Sequence, residues 1–138
     1  MSDLSGRNLS GHTVEAFWYA VRHANPLTIG LNCSFGATQL RPHVRALSQI
    51  ADTLIMVYPN AGLPNELGEY DEAAAETAAQ VAEWIADGLV NVVGGCCGTT
   101  AEHLAAIAGV ARGAAPRRVP SADGHTMLAG LEPMILAA

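Results

Sequence analysis

The chain has 138 residues, the size of one domain, and half of them are hydrophobic against 14% charged, which excludes a disordered tail and permits a buried core. Seven basic against thirteen acidic residues leave a formal charge of −6, the opposite of the Lys and Arg clustering with which a nucleic-acid surface neutralises phosphates. No apolar run approaches the ~20 residues of a membrane span, and residues 1–11 lack the cationic and apolar segments of a secretory signal, so the expectation is a soluble, cytoplasmic protein without nucleic-acid or membrane partners.

From Thr13 to about Ala24, the apolar residues Val14, Phe17, Trp18 and Val21 follow the spacing of an amphipathic helix, stopped by Asn25-Pro26. Leu27 to Cys33 reads as a buried strand, and Ser34-Phe35-Gly36 as a turn. A second helix is predicted from about Ala37 to Ala51, with Leu40, Val44, Leu47 and Ile50 on one face and Pro42 near its first turn. Thr53 to Tyr58 is the second strand. The stretch from Pro59 to about Asp71 is long for a strand-to-helix connection, which makes it a candidate functional loop.

Helix three is predicted from Glu72 to Asp87, with Ala78, Val81, Ala82 and Ile85 inward and Gly88 closing it. Leu89 to Val93 is the third strand, and a last helix opens at Thr99 with a capping-box spacing to Glu102 and runs to about Arg112. Residues 116–138, interrupted by Pro116, Pro120, Gly124 and Gly130, read as a linker or tail, and Met134 to Ala138 carry no clear signal. Alternating strands and helices call for a parallel α/β sheet. Each strand is apolar on both faces, which implies neighbours beyond these three.

Cys33, Asn60 and the Cys96-Cys97 pair all fall at the carboxyl ends of predicted parallel strands, the edge where α/β sheets and barrels build their sites. An odd count of three cysteines does not suit a disulfide framework. Three soft ligands with no fourth Cys or His at a matching position describe an open metal site, for which zinc is the natural occupant. A substrate thiol entering such a site loses its proton, and Asn60 can offer a neutral oxygen when substrate is absent.

Blander readings stand beside these. A lone strand-end cysteine is more often structural, and the loop from Gly94 to Thr99 could instead cradle a phosphate. His12, His23, His43, His103 and His125 read as surface residues, Trp18 and Trp84 as core, and Glu66, Glu69, Asp71 and Glu72 as a solvated acidic loop and helix start. A third possibility is a non-catalytic α/β fragment that binds zinc or a partner chain.

Gly30-Leu31-Asn32-Cys33 and Gly94-Gly95-Cys96-Cys97-Gly98-Thr99-Thr100 resemble the two zinc-binding motifs of the homocysteine S-methyltransferases. Pro59-Asn60-Ala61-Gly62-Leu63-Pro64 with Gly68-Glu69-Tyr70, and the spacing of 63 residues (96 − 33) between the cysteine motifs, resemble the homocysteine-binding domain of the cobalamin-dependent methionine synthases. Ser5-Gly6-Arg7 and Leu9-Ser10-Gly11 are similar as well, and Gly130-Leu131-Glu132-Pro133 is similar to the start of the folate-binding module that follows that domain. The resemblance implies a (β/α)8 TIM-type barrel, of which this chain aligns with the last three strands and their helices. Residues 1–115 are then the C-terminal portion of an incomplete barrel, and residues 116–138 a linker into the next module.

The resemblance further implies Zn2+ on Cys33, Cys96 and Cys97, Asn60 beside the metal, homocysteine as substrate, and methylcobalamin on another module as the methyl donor. The earlier strands, which largely form the amino-acid pocket of the family, are expected from a partner chain or module. Without them the isolated chain is expected to be inactive.

Overall fold

Residues 5–122 and 124–136 are described by a computed structural model of the chain. Helix α1 spans Val14–Val21, and the Thr13 hydroxyl accepts the Ala16 N–H at its start. It buries Val14, Ala16, Trp18 and Tyr19, whereas Phe17 lies 40% exposed, so the inward stripe is rotated from the expected one. The helix is shorter than predicted. Its last turn tightens into a 3-10 turn over Arg22–Ala24, closed by Asn25 in the left-handed region at φ 49°.

Strand β1 spans Thr28–Gly36 and runs parallel to β2, Leu54–Asn60, in a register from Thr28↔Leu54 to Asn32↔Tyr58. The next pair is Gly36↔Asn60, so β1 takes four steps (36 − 32) where β2 takes two (60 − 58). The residues expected as a turn, Ser34 to Gly36, are therefore a bulged continuation of the strand. Strand β3 is the short Val92–Val93, pairing with Met56 and Val57, and the sheet order is β1-β2-β3. Asn91 extends that pairing with both backbone and side chain: its N–H donates to Ile55 O and its Oδ1 accepts the Ile55 N–H, each at 2.9 Å.

Helix α2 spans Ala37–Ile50 and buries Ala37, Leu40, Val44 and Leu47, while Ile50 is only partly buried. Pro42 is its sixth residue, one turn deeper than expected, so no N–H is offered to the Thr38 carbonyl there. Helix α3, Ala74–Ala86, starts two residues later than predicted, at a point where the Glu76 carboxylate accepts the Ala73 N–H. It buries Thr77, Ala78, Val81 and Trp84, and Gly88 at φ 64° ends it as predicted. Helix α4, Ala101–Ala111, is capped by Thr100 with His103, not by Thr99 with Glu102.

Trp18, Leu40, Val44, Leu47, Ile55, Val57, Val81 and Trp84 are fully buried where α1 to α3 pack on the sheet. Three parallel strands with flanking helices make an α/β unit that does not close into a barrel, as expected of a piece of a TIM-type fold. No helix among the described residues is long and apolar enough to cross a membrane.

The segment read as a linker or tail is structured. Arg117 is 4% exposed, and its guanidinium donates to the carbonyls of Ser48, Ala51 and Thr53. Strands β4, Thr126–Ala129, and β5, Pro133–Leu136, form an antiparallel hairpin beside α1. The Thr13 N–H donates to Leu131 O at 3.1 Å, Arg7 pairs with Glu132, and Arg22 Nη1 lies 2.8 Å from Met127 Sδ. Residues 134–136 thus belong to β5, while Ala137 and Ala138 lie outside the described residues.

Candidate metal centre

The site forms where the carboxyl ends of β1, β2 and β3 meet the loops that follow them. The β1 bulge turns Cys33 and Ser34 into the left-handed region, at φ 58° and 65°. Side chains with a Cβ disfavour that region by roughly 1–2 kcal/mol per residue, so the surrounding structure holds Cys33 in a conformation the chain would not choose alone. From the other side, the Gly94 and Cys96 N–H groups donate to Val57 O (3.2 Å) and Pro59 O (2.8 Å). The backbone beyond β3 therefore keeps tracking β2 and carries both adjacent cysteines to the same edge.

Asn60, 3% exposed at the end of β2, locks this arrangement. Its Oδ1 accepts the Cys97 N–H at 3.2 Å, and the Ala61 N–H donates to Cys97 O at 2.9 Å. Cys33 Sγ lies 3.3 Å from Cys97 Sγ, and all three cysteine sulfurs fall within 4.8 Å of one another. Four ligands at the zinc–sulfur distance of ~2.3 Å place sulfurs about 3.8 Å apart around a tetrahedral ion. Sulfurs held within 4.8 Å of one another are close enough to share such an ion, so the donor set suits it in both chemistry and proximity.

The thiols are not equivalent. Cys33 is held below the ordinary thiol range, chiefly by a hydrogen bond from Cys97, then by the Ser34 N–H and by Cys96. Cys97 is held above it because it donates to Cys33 and Cys96.

Three further residues join the site without having been singled out as site residues from the sequence. Asn32 Nδ2 lies 4.0 Å from Cys96 Sγ. Tyr70, at the end of the long β2–α3 loop, packs its ring on Gly98, beside Cys97. Loss of solvation, then the neighbouring Cys97 side chain, keeps the phenol above its ordinary range. The third is His103, which is buried and not on the surface: its Nε2 lies 2.8 Å from Glu72 O and its Nδ1 2.8 Å from Thr100 Oγ1.

Glu72 is half-buried as well. Its carboxylate accepts from Thr77 Oγ1 (2.6 Å) and Gln80 Nε2 (3.2 Å), while Glu66, Glu69 and Asp71 are exposed as expected. Of the remaining histidines, His23 and His125 are exposed, and His12 and His43 are half-buried. The phosphate reading of the Gly94–Thr99 loop loses ground here. The Thr100 N–H faces His103 Nδ1 at 3.3 Å and the His103 N–H faces Thr100 Oγ1 at 3.5 Å, so the chain's own side chains occupy the start of α4.

The family model of the homocysteine S-methyltransferases matches residues 1–111. The chain belongs to this family. The match takes in α1 to α4 and all three parallel strands, and with them every residue of the thiol cluster. The β4–β5 hairpin lies beyond it. At the level of the homocysteine S-methyltransferase family the chemistry is methyl transfer to the thiol of homocysteine, and the three clustered cysteines of this member are able to hold a metal ion.

Proposed function

We propose that this chain serves the S-methylation of homocysteine to methionine, with Cys33, Cys96 and Cys97 holding a zinc ion. The observation that carries the reading is the convergence of three cysteine sulfurs within 4.8 Å at the carboxyl edge of a parallel sheet. Three protein ligands are the count of a catalytic zinc site, whereas structural sites are closed by four. Bound there, zinc supplies the Lewis acidity that keeps a substrate thiol deprotonated near neutral pH.

The chain's own residues set up the rest. The left-handed turn at Cys33 and the β2-tracking backbone at Cys96 present their sulfurs from opposite sides, so the site is assembled before any ligand arrives. Asn60 fixes the Cys97 amide through Oδ1, and the same oxygen has a second lone pair with which to approach the metal when substrate is absent.

Methylcobalamin, carried on a separate module, is the methyl donor in this reading, as in the cobalamin-dependent methionine synthases, and the setting is cytoplasmic. Among the described residues β1 and β3 each pair on one side only. Further strands from another chain or module are therefore proposed to close the barrel and to grip the amino-acid end of homocysteine, and the chain alone is inactive. The open edges also favour a second reading, a zinc- or partner-binding fragment without turnover.

Proton release separates the two readings. Mixing homocysteine with the reduced, zinc-loaded protein, in the presence of whatever chain completes it, is expected to liberate about one proton per site near pH 7. The metal-free protein is expected to liberate none. Zinc-loaded protein that releases no protons would leave a metal-binding fragment and remove the thiol-activating role.

A further inference from the structure

Two of the three cysteines sit in one tight turn. The Thr99 N–H donates to Cys96 O at 3.1 Å and Gly98 stands at φ 77°, so residues 96–99 form a β-turn with glycine where a positive φ is required. The entry of the turn is tied to β2. The Cys96 N–H donates to Pro59 O at 2.8 Å, and the Cys97 N–H to Asn60 Oδ1 at 3.2 Å. Its exit leads through Thr100, the N-cap, into α4.

His103 holds that exit. The imidazole is 8% exposed, and its Nε2 lies 2.8 Å from Glu72 O. A carbonyl oxygen has no proton to give, so Nε2 carries the hydrogen and donates. The Thr100 N–H and hydroxyl face Nδ1 at 3.3 and 2.8 Å, which makes that nitrogen the acceptor. One ring thus bridges the residue after the cysteine turn and the last part of the β2–α3 connection. Tyr70 of the same connection packs on Gly98, where a Cβ would stand 2.3 Å from Tyr70 Cβ.

We propose that His103 is a positioning residue of the metal centre: its Nε2–H, donated to Glu72 O, fixes the exit of the cysteine turn and so sets where the Cys96 and Cys97 sulfurs stand. The inference rests on the metal-binding reading of the three cysteines. Glycine at position 98 leaves the backbone free to pivot inside the turn, so an anchor on the entry side alone does not determine the sulfurs. A site whose supporting contacts are loose by ~1 Å is present but holds its ligand poorly. Loss of an outer partner of a metal site lowers affinity by about 10–100-fold, and His103, acting through the backbone, belongs at the lower end of that range.

The test measures zinc affinity of the reduced full chain by competition with a chromophoric chelator, together with its Co(II) absorption spectrum and its thermal melt. Wild type is compared with H103Q, H103N and H103F. Glutamine places an N–H near the position of Nε2 and keeps the bond to Glu72 O. Asparagine reaches only as far as Nδ1, and phenylalanine fills the volume without a donor. H103N and H103F are expected to bind zinc about tenfold more weakly than wild type and to show an altered Co(II) spectrum, with H103Q close to wild type in both.

Zinc affinity and a Co(II) spectrum equal to wild type in H103N would overturn the proposal, since a lowered melt alone marks a structural role. A loss in H103Q as large as in H103N would overturn it too, because the donor to Glu72 would then not be the cause. Should H103F fail to fold, H103N and H103Q carry the comparison. Failure of the wild-type chain to take up zinc or Co(II) at all would instead overturn the metal reading beneath it.

Discussion

His43 shows how one side chain ties stability to pH. A Cβ on Gly6 would lie 2.1 Å from the His43 ring, so the N-terminal segment rests directly on the imidazole. Burial pushes the ring below its ordinary value of 6.5, against an opposing pull from Glu15. The unfolded chain, whose histidine keeps the higher value, then binds the proton more tightly than the folded one. Stability is complete above pH 6.5 and declines as pH falls through 6.5 toward the folded value. Thermal melts between pH 5 and 7.5 are expected to show that decline in wild type and a smaller one in H43Q. Equal slopes would show that the ring is solvated.

Cysteines are the residues most legible in the sequence, because three thiols at predicted strand ends leave few other uses. Tyr70, Asn32 and His103 were not legible in the same way. A tyrosine, an asparagine or a histidine carries no periodic signature, and its role depends on which loop folds over which. The signal that existed for Tyr70 was indirect: it ends a connection too long to be a simple turn. For His103 the signal was its place three residues after Thr100, a position from which a side chain reaches back to the cap.

Secondary-structure elements follow the same divide between periodic and irregular. Helices α2 and α3 and strand β2 fall within two residues of expectation because long apolar patterns specify them. Ser34-Phe35-Gly36 has the composition of a turn, and only the pairing of β1 with β2 reveals extra residues held inside a strand. The β4–β5 hairpin left a faint trace in two short runs, the apolar parts of Thr126–Ala129 and Pro133–Leu136, separated by Gly130, Leu131 and Glu132. Runs that short do not stand out beside the prolines and glycines that precede them.

Arg117 is the element-scale case of a residue whose burial no local pattern announces. It lies beyond α4 in a proline-containing stretch, yet its guanidinium collects the carbonyls at the end of α2. A cation at a helix C-terminus is favourable, and five donors in a planar fork suit several carbonyls at once. Its own N–H donates to Val90 O and its carbonyl accepts from Asn91 Nδ2, so it also pins the chain to β3. R117A leaves several carbonyls unpaired, and a loss of about 3 kcal/mol in urea unfolding is expected. R117K is expected to recover little of it, for want of the fork. A loss under about 0.5 kcal/mol would mean that water satisfies those carbonyls equally well.

At the scale of the whole molecule, a three-stranded parallel sheet holds a preformed thiol cluster at its carboxyl edge while both of its sheet edges remain unpaired among the described residues. The α/β class and the family were legible because alternating strands and helices and two cysteine motifs are features of order along the chain. The folding of residues 126–136 back onto α1 was not, because it depends on contacts between segments more than 100 residues apart, such as Thr13 with Leu131. That hairpin closes the side of the unit where α1 begins and leaves the cysteine edge accessible.

Cys33, Cys96 and Cys97 are proposed to bind zinc, and everything said of thiol activation depends on it. Metal content of the purified, reduced chain after exhaustive dialysis, measured by atomic emission for wild type and C96S and repeated with homocysteine, tests it most directly. One zinc per wild-type chain, held more tightly with homocysteine and largely lost in C96S, is the predicted result, because a hydroxyl that keeps its proton is a poor zinc ligand. Wild-type chain without zinc, or zinc content unchanged in C96S, would contradict the account.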